Sequence, residues 1–378
     1  MDANVLLKEC EKAGIDLFTG VPDSQLAGLC DTLYARFGTD SDKHVVAANE
    51  GNAIGLAAGH YLATGKPALV YMQNSGLGNT VNPMASLMDD EVYGLPCLMV
   101  IGWRGEPNVK DEPQHVKQGK ITLGQLELLG IPYQIIDRTT TEDAFADAFR
   151  QLLEILQSGH CAALVVRKGG LTCEKKPTYG NPYTLTRERA AEILLEEMDE
   201  KDIVVSTTGK LSREIFELRE KHGEGHARDF LTVGSMGHAS SIAMGIALAK
   251  PERTVWCLDG DGAAVMHLGA MAVLGQRKVP NMKHVVINNG AHETVGGMPV
   301  CSEQAELRAM AEAAGYPLTL MAEDEDGLRQ AARAMMQTNT LCFLEIRCAL
   351  GARADLGRPT TTPKENRDAF MRFVKEEQ

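Results

Sequence analysis

The sequence of 378 residues has few aromatic side chains, no excess of basic residues and no long hydrophobic run. Aromatic residues make up 5% of the chain, and the formal net charge is −13. Because an acidic protein repels nucleic acids and anionic lipid headgroups, we expect neither as a partner. The lack of apolar runs of transmembrane length predicts no membrane-spanning helix. The chain is long enough for two domains with full cores.

The 9 cysteines lack the Cys-x-x-Cys spacing that is typical of zinc sites and redox motifs. Four of them lie in apolar runs, where buried free thiols are usual: Cys10, Cys97, Cys257 and Cys342. The first residues show neither the basic region nor the apolar core of a signal peptide. We therefore expect a cytoplasmic protein without a disulfide framework.

The most informative stretch is a predicted strand–helix–strand unit in the C-terminal half. Positions 254–258 and 284–287 are short apolar runs typical of buried strands, and 263–274 is apolar nearly all round, as in a buried helix. A right-handed crossover makes the two strands parallel, so the residues that follow them meet at one edge of a sheet. Those residues are Gly260-Asp261-Gly262 and Asn288-Asn289-Gly290.

A carboxylate and an amide at this edge suit a hard divalent cation. Mg²⁺ prefers oxygen ligands and usually completes its shell with water and phosphate oxygens. Gly260 and Gly262 allow a sharp turn beside Asp261, and the following helix N-terminus favours an anion. The local chemistry predicts a diphosphate held through a metal, although each motif alone is more often an ordinary turn.

The alternation of predicted strands and helices extends over the whole chain. Residues 1–170 and 187–378 each show it, whereas 171–186 is rich in Gly, Pro and Lys and has little to bury. We expect an α/β protein with two doubly wound parallel-sheet domains joined by this linker. Residues 102–119 lack apolar periodicity and are expected to form a long functional loop after a strand.

A glycine-rich stretch in the first half is a weaker motif. Gly76-Leu77-Gly78 could begin a dinucleotide-binding fingerprint, but Val81 stands where that motif needs Gly or Ala. No acidic residue is placed to bind the ribose. We therefore do not expect NAD binding.

Together, these motifs resemble the thiamine diphosphate (ThDP) enzymes. Members of this family carry Gly-Asp-Gly and then, after a stretch of similar length, Asn-Asn or Asp-Asn. The resemblance implies Mg²⁺ ligands at Asp261, Asn289 and the carbonyl of Ala291. The spacing is one residue longer than usual in the family, which leaves Asn288 as the alternative to Asn289.

The resemblance also implies how the coenzyme is held. Thr207 and Thr208 would form a second grip on the diphosphate, Met236 would support the bend between its rings, and the Gly234 carbonyl would bind the aminopyrimidine. Glu50 would protonate a pyrimidine nitrogen, which requires desolvation and a raised pKa. Without the resemblance, Met236 is an ordinary core methionine and Glu50 a solvated residue at a helix start.

In this family, the glutamate and the metal site meet across a subunit interface. The resemblance therefore implies that a homodimer is the minimum active unit. The small side chains of the predicted helix 52–63 would permit the close packing of such an interface. The domain 1–170 would then bind the pyrimidine, and 187–378 would bind the diphosphate.

Within the family, the chain looks most like the phosphonopyruvate decarboxylases. The resemblance rests on the two-domain length and on the segments 20–24, 102–107, 110–115 and 290–292. It implies a 2-oxoacid substrate, 3-phosphonopyruvate, which would yield phosphonoacetaldehyde and carbon dioxide. Alternatives are a sulfopyruvate decarboxylase, another ThDP-dependent decarboxylase or carboligase, and a catalytically silent partner subunit.

This substrate carries a phosphonate, which needs cationic partners. The cations available in the predicted loop are Arg104, Lys110 and Lys117. Ser24, after a strand of the first domain, could bind the carboxylate or the carbonyl of the substrate. His115 and His292 could deliver protons because an imidazole titrates near neutrality.

Overall fold

The computed structural model describes residues 1–39, 41–301 and 305–375. The chain divides into two compact units, Met1–Thr178 and Tyr179–Gln378. Each contains a parallel six-stranded sheet with flanking helices, which confirms the predicted α/β class. The division lies inside the stretch 171–186.

The first unit has the strand order β2-β1-β3-β4-β6-β5, with every pair parallel. Its strands are β1 (Phe18–Gly20), β2 (His44–Val46), β3 (Leu69–Gln73), β4 (Leu98–Gly102), β5 (Tyr133–Ile136) and β6 (Ala162–Val166). The three central strands, β3, β4 and β6, are buried except at Gln73. They are therefore nearly continuous apolar runs, as expected for a parallel sheet covered on both faces.

Helices cover both faces of this sheet. They are α1 (Ala3–Lys12), α2 (Ala27–Phe37), α3 (Glu50–Thr64), α4 (Leu77–Pro83), α5 (Pro113–Leu128) and α6 (Glu142–Gln157). α6 shows the sequence cause most clearly: the Thr141 side chain accepts a hydrogen bond from Ala144 N, and Phe145, Phe149 and Leu152 form a buried stripe at helical spacing.

The prediction of one loop over 102–119 was wrong, because α5 already begins at Pro113. The loop is shorter, and His115 and Lys117 lie on the first turns of the helix. The only large apolar residue among the buried positions of α5 is Leu126, the others being Gly119 and Thr122. The periodic signal is therefore weak, and Pro at the first helical position was the usable sign.

The second unit has the strand order β13-β14-β10-β9-β7-β8, again parallel throughout. Its strands are β7 (Ile203–Ser206), β8 (Asp229–Leu231), β9 (Val255–Gly260), β10 (Met282–Asn288), β13 (Leu318–Ala322) and β14 (Cys342–Arg347). A small antiparallel pair is formed by β11 (Ala291–His292) and β12 (Met298–Pro299).

Except for the first and the last, the helices of this unit lie between its strands along the chain. They are α7 (Arg187–Glu197), α8 (Lys210–Lys221), α9 (Ala239–Ala249), α10 (Asp261–Met266), α11 (Gly269–Arg277), α12 (Leu307–Ala314), α13 (Glu325–Met336) and α14 (Pro363–Lys375). The single helix expected over 263–274 is in fact two, α10 and α11. His267 interrupts it with φ −128° and ψ 51°. The ring of His267 packs where a Cβ on Gly237 would lie 2.6 Å from its Cδ2.

All nine cysteines are free, and the four expected to be buried are buried. No helix in the described part of the chain combines the length and the apolar character needed to cross a membrane. The expected absence of disulfides therefore agrees with the structure.

Candidate active site

Glu50, the first residue of α3, is buried against the start of α4 and is only 5% exposed. Its Oε2 accepts a hydrogen bond from Asn79 Nδ2 at 2.7 Å. The other oxygen lies against Gly76, where a Cβ would be 2.2 Å from Oε1. Burial raises the pKa of Glu50, and the hydrogen bond from Asn79 offsets only part of this effect. The side chain therefore has the desolvation expected of a proton-sharing glutamate.

Asp23, after β1, is a second buried carboxyl group, and it was not singled out from the sequence. Its Oδ1 accepts a hydrogen bond from Gln73 Nε2, and its Oδ2 accepts one from Gln25 N at 3.0 Å. A Cβ on Gly102 would lie 2.0 Å from Oδ2. Burial raises the pKa of Asp23 to about 6, although Gln73 and the charge of Arg104 act in the opposite direction. Asp23 therefore changes protonation near neutral pH.

Ser24 and Arg104, both predicted to bind substrate, are in direct contact. Arg104 Nη1 donates a hydrogen bond to Ser24 Oγ at 2.9 Å. Arg104 also forms a two-pronged ion pair with Asp111, in which Nε donates to Oδ2 at 2.8 Å. Although burial alone would raise it, the hydrogen bonds from Arg104, Glu112 N and Gly105 N hold the pKa of Asp111 well below its usual range. Asp111 is therefore ionised and fixes the guanidinium.

The short turn Asn74–Gly76 connects this pair with Glu50. Asn74 is fully buried, and its Nδ2 donates to Arg104 O at 2.8 Å while its Oδ1 accepts from Arg104 N at 3.0 Å. Gly76 closes the same turn against the carboxylate of Glu50. The turn therefore contacts both Glu50 and Arg104, and so links the candidate catalytic glutamate to the candidate substrate-binding residues.

His115 lies beside this cluster, whereas Lys110 does not take part in it. The backbone of His115 packs against Gly105, whose φ is +67° and where a Cβ would lie 1.9 Å from His115 O. Burial, and secondarily the charge of Arg104, lowers the pKa of His115. Its imidazole is therefore neutral at pH 7. Lys110 and Lys117 are exposed, and no described residue forms an ion pair or hydrogen bond with either.

In the second unit, Asp261 and Asn289 follow the ends of two adjacent strands. Ile287 pairs with Gly260 in the parallel register of β10 and β9, so both residues leave the sheet at the same edge. Both are buried, as is Ala291, and Asn289 Oδ1 accepts a hydrogen bond from Ala291 N at 3.1 Å. A carboxylate, an amide and a backbone carbonyl form a donor set that fits a hard divalent cation such as Mg²⁺.

Asn288 and Asn289 face different parts of the unit. Asn288 Nδ2 donates to Glu345 Oε1 at 2.9 Å, and the other oxygen of Glu345 accepts from Arg308 N at the start of α12. Asn289 Nδ2 instead donates to Glu293 Oε2 at 3.3 Å, at the edge of the sheet. Asn288 therefore forms its hydrogen bond inside the core. Asn289 lies at the edge of the sheet and is the better placed of the two to bind a ligand.

Glu293 ties Asn289 to the turn after β7. Its Oε1 accepts a hydrogen bond from Lys210 Nζ at 2.8 Å, and its Oε2 accepts one from Gly351 N at 2.8 Å. Although burial alone would raise it, these hydrogen bonds lower the pKa of Glu293. Gly209, with φ +109°, leaves room for Thr294, because a Cβ would lie 2.8 Å from Thr294 Oγ1. The turn at 207–210 is therefore joined to the loop that carries Asn289.

Thr207 and Thr208 begin this turn. Thr207 is buried, and a Cβ on Gly260 would lie 3.7 Å from its Cγ2, in ordinary contact. Thr208 is partly exposed. Thr207 therefore lies beside the end of β9, which Asp261 follows, and Thr208 is the next residue of the turn.

Met236 and His292 converge on Gly262. A Cβ on Gly262 would lie 3.2 Å from His292 Nδ1 and 3.4 Å from Met236 Cε. Gly234 precedes Ser235, which adopts a left-handed conformation with φ 57° and so turns the chain before Met236. Burial lowers the pKa of His292 to about 4, so its imidazole is neutral at pH 7.

Four polar residues that complete these clusters were not identified from the sequence: Asp23, Asp111, Lys210 and Glu293. Asp23 and Asp111 stand inside segments that carry the family resemblance, so their positions were visible. Their roles depend on partners far away in the chain, such as Gln73 for Asp23. Spacing alone contains no signal for such contacts.

Both halves of the chain are similar to known proteins. Residues 3–127 match the N-terminal TPP binding domain of thiamine pyrophosphate enzymes, and residues 207–346 match the C-terminal TPP binding domain. A phosphonopyruvate decarboxylase from Streptomyces viridochromogenes is 34% identical over 381 residues, which cover 96% of this chain and 92% of that protein. A phosphonopyruvate decarboxylase from Streptomyces hygroscopicus is 32% identical, with 100% and 94% covered. A sulfopyruvate decarboxylase from Methanosarcina acetivorans is 28% identical, with 89% and 88% covered.

We predict that Glu50→Gln stabilises the protein at neutral pH by on the order of 1 kcal/mol, the usual cost of a poorly compensated buried polar group. The amide oxygen can still accept the bond from Asn79, but no charge is buried. A raised carboxyl pKa contributes stability that is present below about pH 4.3 and lost as the pH rises through the folded value. The advantage of the variant should therefore grow with pH.

Thermal unfolding measured between about pH 4 and about pH 8 checks this expectation. Glu91→Gln, at an exposed position, serves as the control and should show no such trend. A wild-type protein that is at least as stable as Glu50→Gln at pH 8 would contradict the proposed burial of charge.

Proposed function

Since the chain belongs to the family of thiamine diphosphate-dependent decarboxylases that includes phosphonopyruvate decarboxylase, we propose that it converts 3-phosphonopyruvate to phosphonoacetaldehyde and carbon dioxide. The observation that carries this proposal is the identity of 32% to 34% with two such enzymes over nearly the whole chain. The contact between Ser24 and Arg104 supports it, since a guanidinium held in place suits the recognition of a phosphonate.

In this proposal, the second unit, with the domain 187–378, holds the diphosphate of the coenzyme. Asp261, Asn289 and the Ala291 carbonyl would bind Mg²⁺, and Thr207 and Thr208 would donate to phosphate oxygens. When bound, the coenzyme supplies the electron sink that accepts the electrons left by carbon dioxide. Glu293 would orient the amide of Asn289 through its hydrogen bond to Nδ2.

The coenzyme rings would lie against a surface made by Met236, Gly234, Gly260 and Gly262. The missing Cβ of Gly262 leaves space between Met236 and His292. His292, neutral at pH 7, would accept or pass a proton there.

In the domain 1–170, Glu50 would hold the proton that activates the pyrimidine. Asn79 occupies Oε2, so Oε1 is the oxygen available to carry the proton. The raised pKa of Glu50 favours this protonated form more than the pKa of an exposed glutamate would.

Arg104 would bind the phosphonate, with Ser24 beside it. Three of its five N–H groups bind Asp111 and Ser24, so the two remaining ones point in directions that the ion pair fixes. Since Asp111 neutralises Arg104, Lys110 would supply the net positive charge.

His115 and Asp23 would exchange protons with the substrate, and the pKa of about 6 suits Asp23 to this role.

The second candidate function is the decarboxylation of sulfopyruvate, favoured by the identity of 28% with a sulfopyruvate decarboxylase over most of the chain. Both substrates are 2-oxoacids with a tetrahedral anionic group, so the Ser24–Arg104 pair could bind either.

The finding of nine free cysteines supports a reducing compartment, and we propose the cytoplasm.

We predict that the metal-stripped protein forms aldehyde from phosphonopyruvate only when both ThDP and Mg²⁺ are added. Each cofactor alone should give no product, because the metal joins the diphosphate to Asp261 and Asn289. Sulfopyruvate and pyruvate are assayed in parallel, with carbon dioxide as the common product. Turnover of sulfopyruvate alone would replace the named substrate by the second candidate.

We predict that Arg104→Ala raises the KM for phosphonopyruvate by roughly tenfold to a hundredfold, as expected for a lost charged hydrogen bond of about 1.5 to 3 kcal/mol. The ThDP concentration needed for half-maximal activity should change far less. Arg150→Ala, at an exposed site in the same unit, is the control. Equal changes in both requirements would discard Arg104 as the phosphonate ligand.

We also propose that the active unit is a homodimer or a larger assembly, in which Glu50 of one protomer serves the coenzyme held by its partner. Glu50→Gln and Asp261→Asn should each be inactive alone. Co-produced, they should regain about a quarter of the wild-type activity, because half of the dimers are mixed and each has one intact site. Two different tags allow the mixed dimer to be purified. An inactive mixed dimer would show that both residues act within one chain.

A further inference from the structure

Three metal-ligating side chains to which no role is assigned above lie together inside the sheet of the second unit. Cys257 and Asp259 are two apart on β9, and His284 pairs with Cys257 in the parallel register of β10. All three therefore face the same side of the sheet. Their donor atoms lie within 4.8 Å of one another, and each residue is at most 1% exposed.

Two atoms of this group are buried polar atoms without a hydrogen bond to any described residue: Asp259 Oδ2 and His284 Nε2. They are 3.7 Å apart, too far for a direct hydrogen bond. The other polar atom of each side chain is engaged, since Oδ1 accepts from Gly260 N at 2.9 Å and Nδ1 pairs with Tyr316 Oη at 3.1 Å. Each unpaired buried group costs about 1 to 3 kcal/mol unless something binds it.

We propose that Cys257, Asp259 and His284 bind one divalent cation of the zinc type. Ligands at about 2.0 to 2.2 Å from tetrahedral zinc are roughly 3.4 Å apart, so a small shift brings Oδ2 and Nε2 to this spacing. In the tautomer in which Nδ1 donates its hydrogen bond to Tyr316 Oη, Nε2 is free to bind metal. A thiolate ligand selects zinc over Mg²⁺.

This ion would act as a structural cross-link. It would join β9 to β10 just before Asp261 and Asn289, and so hold the register on which their common edge depends. The ring of Phe343 meets His284 edge-on at 5.3 Å and helps to seal the group from solvent. Because the ligands are enclosed, the ion enters during folding, when metal affinity adds directly to stability.

The test uses full-length protein produced in zinc-supplemented medium and washed with EDTA in the presence of excess Mg²⁺, which occupies the oxygen site. Metal analysis should find about one zinc per chain. Cys257→Ala should lose it, whereas Cys342→Ala, at an equally buried thiol of the same sheet, should keep it. No EDTA-resistant zinc in the wild type would overturn the proposal and leave a bridging water between Asp259 and His284.

A second measurement keeps the test decisive if Cys257→Ala does not fold. Wild-type protein produced with cobalt in place of zinc should show the near-ultraviolet charge-transfer absorption of a thiolate–cobalt bond. A cobalt protein without this band, or a band that persists in a folded Cys257→Ala variant, would exclude Cys257 as a ligand. Neither result depends on the decarboxylation assay.

Discussion

The parallel pairing of β9 with β10 sets the position of every predicted metal ligand. In this register Ile287 lies beside Gly260, and Asp261 and Asn289 follow at one edge. Because side chains alternate along a strand, a slip of one residue would turn Asn289 to the side where Asn288 now meets Glu345. Such a slip would break the buried hydrogen bond between Asn288 and Glu345, so this bond favours the observed register. This polar contact in the core therefore helps to keep Asp261 and Asn289 at the same edge of the sheet.

The first unit controls protonation by giving its carboxyl groups different partners. Asp111 is ionised because Arg104 and two backbone N–H groups bind it. Glu50 and Asp23 are more deeply buried and receive neutral donors, so the pKa of each is raised. Environments that separate carboxyl pKa values in this way are what acid and base catalysis requires near neutral pH. Burying these carboxyl groups lowers the stability of the fold, as expected where titratable groups are retained for function.

Much of the fold could be predicted from the sequence, because short apolar runs indicate buried strands and turn residues indicate where those strands end. The two parallel sheets, the position of Glu50 at a helix start and the common edge of Asp261 and Asn289 all follow from such patterns. The start of α5 could not be found by periodicity, because two of the three buried residues of the helix are Gly119 and Thr122, which give no apolar signal. The break at His267 and the burial of Asp23 depend on residues distant in the chain, which no local pattern records.

The ion pair between Arg104 and Asp111 bears on how such a site could tell a phosphonate from a sulfonate. A guanidinium already neutralised by Asp111 offers hydrogen bonds of fixed direction and little net charge. Such donors suit any tetrahedral anion, and both groups present three oxygens. The distinguishing property is the second negative charge that a phosphonate can carry. In the loop between β4 and α5, Lys110 is the cation that no described carboxylate neutralises. Under the proposed function, Lys110 would therefore distinguish a phosphonate from a sulfonate by its charge. Arg104 and Ser24 would recognise the tetrahedral shape that both groups share.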